Sequence, residues 1–541
     1  MTEARIDRIL DQLRCNLKGA GIEVAEAELQ EMIEKGCLKA VLAFDKVTQD
    51  TDLGQVPGYL GAWGDADGAE DRAAAPAALG PRRETTAVGP LGLSLQEAAR
   101  RIQAGALSPV ELVRASLDRI QERDAVLNAF QVVLEASALA AARVAEQEIR
   151  AGHYRGPLHG IPLAVKDILD MEGLATSAGS RIRADQVASE DATAVAKLKA
   201  AGAILVGKTR MSEFAYSSGS NNDHFGPTRN PHQLDRDTGG SSSGSAAAVA
   251  DHMVFGALGT DTGGSIRIPA SFCGLVGLKP TFGRLSLHGA ASLAWSLDHL
   301  GPLTRTVADT TLMLEALGGF DPRDPRTRRR SGSPVQPPRD PAVKGLRIGV
   351  LGDDGSGRAL ANADTLAAWQ RGLAALEAAG AELVPVDLPE LQPLRVLNGT
   401  LLAIEAATYH LAMQRARLQD YGEFPRLRLL GGWAHGPIDF IRAQQACQVL
   451  RERCNAIFSR VEVLSMPTMP SEAPALGTPA RLTFTAPFNL LGWPAISVPA
   501  GRTAEGLPLG LQLVGKPWDE ATVLHVARAV EAGVGFEPAK N

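Results

Sequence analysis

A chain of 541 residues, 45% hydrophobic and 21% charged, matches ordinary soluble globular proteins and carries enough apolar material for a large core, with length for two to four domains. A formal net charge of −6 gives no reason to expect nucleic acid as a partner, and no window approaches the roughly 18 uninterrupted apolar residues of a membrane span. The ten histidines show no HExxH-type pairing, and the five cysteines (Cys15, Cys37, Cys273, Cys447, Cys454) never form a CxxC pair, which argues against a metal site and a disulfide framework and fits a cytoplasmic location.

The opening residues Met1-Thr2-Glu3 lead into no apolar run of the secretory type. Ile6, Ile9, Leu10 and Leu13, then Leu29, Met32 and Ile33, then Leu38 and Val41, recur at helical spacing and predict a small helical segment over 1–61. From about Trp63 to Gly92 the composition turns to Ala, Gly, Pro, Asp and Arg, so 62–92 reads as a linker. The remainder, 93–541, reads as one catalytic domain. A helix opens near Leu93–Glu97, and Ser108-Pro109 with Glu111 carries an N-cap serine, proline at the first helical position and an acid three residues after the cap. Strands are predicted at 161–165, 203–206, 254–258, 347–351 and 382–386, with helices at 135–151, 193–201 and 364–379. This alternation predicts an α/β fold with a central mixed, mostly parallel sheet flanked by helices. The segment 320–341, rich in Pro, Arg and Asp, reads as an exposed connection.

Two glycine–serine stretches stand apart: Thr238 to Ser245 and Gly259 to Pro269. A lone stretch of this kind is ordinarily a flexible loop. Here each adjoins an apolar segment, and a glycine pair before a serine can present successive N–H groups to a developing negative charge. No lysine follows either glycine run as a phosphate loop requires. Gly240 to Gly244 matches the Gly-x-Ser-x-Gly elbow, which would make Ser242 a nucleophile, yet polar Pro231–Asp237 is not the buried strand an elbow follows. Lys166 ends the apolar run from Ile161. A lysine there usually snorkels or pairs with a neighbour such as Asp167, but burial can also leave it neutral and able to act as a base.

Together these stretches resemble the amidase signature hydrolases. The likeness runs from about Leu93 to the C-terminus through Gly160–Asp167, Gly207–Thr209 with Glu213-Phe214, Gly226–Pro231, Gly239–Ser245, Asp261–Arg267, Gly274–Pro280, Leu297-Asp298, Gly301–Thr306 and Pro487–Pro499, in the family's order. The resemblance implies Ser265 as the acylated nucleophile, Ser241 as a bridging serine after a cis peptide bond, and Lys166 as the base. It implies an oxyanion hole from the backbone amides of Thr262, Gly263, Gly264 and Ser265, support from Ser242 and Asp261, and an architectural Arg267. It calls for no cofactor or metal. Ser243 stands where the family usually has glycine.

For the substrate, the resemblance implies a small amide, anilide or carbamate, so aryl acylamidase or urethanase activity is expected alongside simple amide hydrolysis. The family's A-type amidotransferase subunits, which use glutamine, carry an acidic residue shortly before a Phe-Thr-x-Pro segment. Here Leu482 stands near that place, before Phe484-Thr485-Ala486-Pro487, so neutral, fairly apolar amides are the expectation. The alternatives are an A-type glutamine amidotransferase component and a carboxybiuret- or allophanate-type hydrolase of urea derivatives. Phe214, Leu293, Trp295, Trp433 and Phe484 are candidates either for a pocket wall or for core packing. Residues 1–61 resemble added helical segments that serve a homodimer or cover the site entrance, and also the small helical partner of carboxybiuret-type hydrolases.

Overall fold

The computed structural model describes residues 3–51, 89–328 and 341–536. The linker predicted over 62–92 therefore lies outside the described residues as far as 88, and so do residues 329–340 of the predicted connection.

Eleven strands form one sheet: β1 (Phe130–Val133), β2 (Pro162–Lys166), β3 (Ile204–Thr209), β4 (Gly256–Asp261), β5 (Val276–Lys279), β6 (His299–Thr304), β7 (Arg347–Leu351), β8 (Glu382–Val386), β9 (Val463–Pro467), β10 (Ala495–Arg502) and β11 (Pro508–Gly515). Their spatial order is β1-β3-β2-β4-β6-β5-β10-β11-β9-β7-β8. The α/β class and the mixed sheet flanked by helices hold, but the sheet is not mostly parallel. Four pairings are parallel (β2 with β3 and β4, β7 with β8 and β9) and six are antiparallel. The parallel groups lie where a helix returns the chain, as Thr193–Ala200 does before β3 and Ala363–Ala378 before β8. Between them β6, β5, β10 and β11 run antiparallel to their neighbours. Every residue of β2 through β6, and of β9 and β11, is buried, so none of these strands has a solvent face that would give it an alternating polar pattern.

The helix signals are borne out locally. Ser94 Oγ accepts the Glu97 amide, and Ser108 Oγ accepts the amides of Val110 and Glu111 at 3.1 and 3.2 Å. Near the N-terminus, helices Glu3–Ala20, Glu26–Glu34 and Lys39–Asp50 share an apolar cluster with Leu418, Leu427, Leu430 and Ala434 of the larger body. Phe44 enters the main core and meets His435 edge to face at 5.7 Å. No helix among the described residues is long and apolar enough to cross a membrane.

Two features of this sheet place the site. β2 and β4 are parallel neighbours, so Lys166 and Asp261, each the last residue of its strand, emerge at the same sheet edge. The helix Ser243–Ala250, built from Ser, Gly, Ala and one Val, is wholly buried and holds the preceding serine loop against that edge. Small side chains are what allow so close an approach.

Candidate active site

Lys166 Nζ donates to Ser241 Oγ at 2.7 Å, to Thr260 Oγ1 at 2.8 Å and to Ser242 Oγ at 3.1 Å. All four side chains are buried. Complete burial pushes the Lys166 pKa down to about 7, against the opposing pull of Asp261 and Asp298. The neighbouring acid is otherwise engaged: Asp167 pairs with Lys208 at 2.7 Å. A neutral amine so placed is able to accept a proton from a hydroxyl that faces it, and Ser241 is the nearest.

Ser241 follows a cis peptide bond after Gly240. Glycine is required at 240 because a Cβ there would run into the Gly219 carbonyl, while the Gly240 amide donates to Ser218 O at 2.8 Å. Ser242 is a hub rather than a free hydroxyl, since Oγ donates to Thr260 O at 3.2 Å and accepts from Thr260 N at 3.3 Å. Its amide donates to Ser265 O at 3.3 Å, which joins the two serine loops. Ser243 begins the helix and its hydroxyl donates to Thr228 Oγ1 at 3.4 Å. Ser265 is 8% exposed, whereas Ser241, Ser242 and Lys166 are 0%, and it is through its carbonyl that it is bonded to this cluster.

The loop from Asp261 to Arg267 is held from several directions. Asp261 Oδ1 accepts the Gly264 amide at 2.7 Å, and Oδ2 accepts the Ile266 amide at 3.1 Å. Burial pushes the Asp261 carboxyl up, but Arg267, Asn489 and Lys279 outweigh it and hold it well below the usual carboxylate range. Arg267 pairs with Asp261 at 3.0 Å and also donates to Gln512 Oε1 and Asn489 Oδ1, both at 2.7 Å. The successive carbonyls of Asp261, Thr262 and Gly263 accept from Asn489 (2.7 Å), Asn398 (3.2 Å) and Thr485 (2.7 Å). Among the described residues no acceptor meets the amides of Thr262, Gly263 or Ser265, and unpaired donors so close in sequence are suited to an anion. Gly264 has φ +135°, and a Cβ there would strike Thr485. A Cβ at Gly263 would instead face Leu482 Cδ1 at 3.5 Å, Asn398 Oδ1 at 3.6 Å and Ala486 Cβ at 3.9 Å.

The five pocket-wall candidates separate. Phe214 is buried against His410 at 4.4 Å and Tyr421 at 5.5 Å, Phe484 is fully buried in the main core, and Leu293 is buried. Trp433 donates to Gln414 Oε1 at 3.0 Å and packs with the N-terminal helices, whereas Trp295 is 41% exposed. Sequence reasoning missed Asn398, which sits on the helix Leu391–Tyr409 without a motif, and gave no role to Thr260, Thr485 or Asn489. Thr260 lies on β4 two residues past Leu258, the partner of Val165, a register that brings it near Lys166 and that only the structure shows.

Residues 111–524 match the family model described as Amidase, and the chain belongs to the amidase family, whose members act on amide C–N bonds. Among its relatives, the A-type subunit of glutamyl-tRNA(Gln) amidotransferase from Anaeromyxobacter dehalogenans (strain 2CP-C) is 41% identical over 481 residues, covering 83% of this chain and 97% of that protein. Of the solved structures, a chain described with a vestigial protein complex and the evolutionary origins of an s-triazine catabolic enzyme has a TM-score of 0.78 at 37% identity, covering 81% of this chain and 98% of that one. Peptide amidase from Stenotrophomonas maltophilia follows at TM-score 0.74 and 31% identity, covering 84% and 99%.

Proposed function

We propose that the chain hydrolyses amide bonds through an acyl-enzyme on Ser265, with Ser241 as proton bridge and Lys166 as base. Neutral Lys166 takes the Ser241 proton as Ser241 takes that of Ser265, and Ser265 Oγ bonds to the substrate carbonyl carbon. The resulting oxyanion lies on the amides of Thr262, Gly263 and Ser265. The Gly264 amide, occupied by Asp261, serves the shape of the loop instead of the charge. Collapse breaks the C–N bond, the Lys166 proton returns through Ser241 to the leaving amine, and water then releases the acid. The observation that carries this reading is the 2.7 Å contact between a fully buried lysine and Ser241, in a loop joined to that of Ser265 by the Ser242 amide. In the same reading Ser242 and Arg267 support the two loops.

The test is labelling by a fluorophosphonate probe followed by peptide mapping. Modification is expected on Ser265 and lost in Ser265→Ala. A label retained on Ser242 in that variant would overturn the assignment.

For the substrate, Leu482 and Ala486 over Gly263 support a neutral, fairly apolar acyl group, whether amide, anilide or carbamate, in a chain that works on its own or as a homodimer. A second reading, a glutamine-using A-type component of an amidotransferase, is favoured by the curated relatives, which weigh more toward it than toward the first. The carboxybiuret- or allophanate-type alternative for urea derivatives stands beside these, and the likeness to a chain described with an s-triazine catabolic enzyme is compatible with it. Turnover of glutamine, neutral aryl amides, carbamates and biuret-type compounds by the purified chain separates these. Glutamine turnover confined to a complex would sink the first reading.

A further inference from the structure

One buried acid is used by neither loop directly. Glu405, on the helix Leu391–Tyr409, is 1% exposed and accepts from Ser296 at both oxygens, from Oγ at 2.5 Å and from the amide at 3.0 Å. Ser296 belongs to the loop 292–298, whose other anchor is Asp298. That carboxylate accepts from Ser292 Oγ at 2.7 Å, from the Leu293 amide at 3.0 Å and from Thr262 Oγ1 at 2.6 Å. Thr262 is in turn gripped at its carbonyl by Asn398, two helical turns before Glu405 on the same helix. One helix thus holds the free-amide loop twice, directly through Asn398 and indirectly through Glu405, Ser296 and Asp298.

We propose that Glu405 is a positioning residue for the hydrolysis: through Ser296 it fixes the 292–298 loop, so that Asp298 holds Thr262 and the amides of Thr262 and Gly263 stay aimed at the oxyanion. The proposal rests on the reading of Ser265 as nucleophile. Ionised Glu405 offers an acceptor to each of its two donors, whereas the protonated acid must turn one oxygen into a donor and release part of that grip. Burial first, and the nearby Asp298 charge, push its pKa up to about 7 despite the Ser296 bonds. Among the described residues Cys447, from the helix Pro437–Asn455, also faces it, itself pushed up to about 12 by burial and facing Arg451. Loop positioning therefore weakens as pH falls through about 7, the range in which Lys166 also gains its proton.

The experiment measures phosphonylation of Ser265 by a fluorophosphonate probe, at pH values on either side of neutrality, in wild type, Glu405→Gln and Ser296→Ala, with thermal melting of each. The expected result is a maximal labelling rate lower by roughly 10- to 100-fold in Glu405→Gln, with the probe's saturation constant unchanged, because a small misplacement of donors acts on the transition state. Its acid limb should titrate a single proton, where that of wild type is steeper. Ser296→Ala, with the carboxylate kept, should lose rate in the same direction by less, and it decides the matter alone if Glu405→Gln does not fold. Wild-type rates and pH slope in folded variants, even with lowered melting temperatures, would reduce Glu405 to a packing role and overturn the proposal. Labelling that persists in Ser265→Ala would instead strike the underlying reading.

Discussion

Asp261 Oδ1 accepts the Gly264 amide at 2.7 Å, and the same carboxylate is paired with Arg267 at 3.0 Å, with both side chains fully buried. One acid thus shapes the glycine loop and neutralises the buried guanidinium that ties this loop to Gln512 and Asn489. The amide at 264 is used up in holding the loop, while those at 262, 263 and 265 meet no acceptor among the described residues.

Asp261→Ala should accordingly cost about 3–5 kcal/mol of stability, because it leaves a buried cation without its partner. Urea denaturation followed by fluorescence measures it, and a loss below about 1 kcal/mol would show that Gln512 and Asn489 suffice for Arg267. The pH sign follows from the depressed carboxyl. Its stabilisation is complete above the ordinary carboxylate pKa and is lost only as pH falls below that range toward the lower folded value. Acid unfolding should begin at higher pH in Asp261→Ala than in wild type.

Lys166 is also shifted down, but in a lysine that favours the neutral form. Burial lowers its pKa to about 7, so the neutral form that can act as a base accumulates as pH rises through about 7. The rate of acylation should climb across neutrality and level off on the alkaline side, as measured by single-turnover release of the amine. A rate already flat below neutrality would rule out this lysine as the titrating base. Lys166→Ala should lower turnover by at least roughly 100-fold, the scale of general-base catalysis.

Leu482 offers a test of substrate preference. Its Cδ1 lies 3.5 Å from where a Gly263 Cβ would stand, close above the free amides. Replacing it with Asp puts a carboxylate where the α-amino group of glutamine could be met and makes the same wall costly for an apolar acyl group. Leu482→Asp should lower kcat/KM for a neutral aryl amide by roughly tenfold or more while raising the ratio of glutamine to aryl-amide turnover. Parallel loss of both activities would mean that the side chain only packs.

The sequence made the family and its two serine loops more legible than the architecture around them. Lys166, Ser241 and Ser265 stand in short motifs because backbone geometry and hydroxyl placement there admit few residue types. The outer parallel strands were readable as apolar runs, and β7 and β8 fall where they were predicted. The antiparallel centre was hidden by its own composition. β6 contains Gly301 and Pro302, which read as turn residues, yet glycine is needed at 301 because a Cβ there would meet the Leu278 carbonyl of β5. β10 contains Pro499 and bulges between Pro499 and Gly501. Asn398 and Glu405 could not be singled out, since a polar residue inside a helix declares nothing until the fold shows what it faces.

The N-terminal helices reach the wall of a second cavity through the helix Glu423–Gly432. Leu13 and Met32 are 0% exposed in the cluster that includes Leu427 and Leu430 of the helix Glu423–Gly432. The start of that helix faces the other way: the Gly422 amide donates to Glu213 Oε2 at 2.8 Å and the Glu423 amide to Asp223 Oδ2 at 2.9 Å, while Arg428 lies over the Tyr216 ring at 4.4 Å. Phe424 and Pro425 line a cavity with Glu213, Tyr216 and Asp223. Leu13→Ala should cost about 2–5 kcal/mol locally, as deletion of a buried leucine does. Because a packed interface opens as a unit, the loss should appear as faster proteolysis of the first helices before any global unfolding. If those helices serve the cavity wall, turnover of bulky amides should fall with the same temperature dependence as the proteolysis, while turnover of the smallest amides persists. Equal loss for all sizes, or none for any, would assign the N-terminal layer to stability alone.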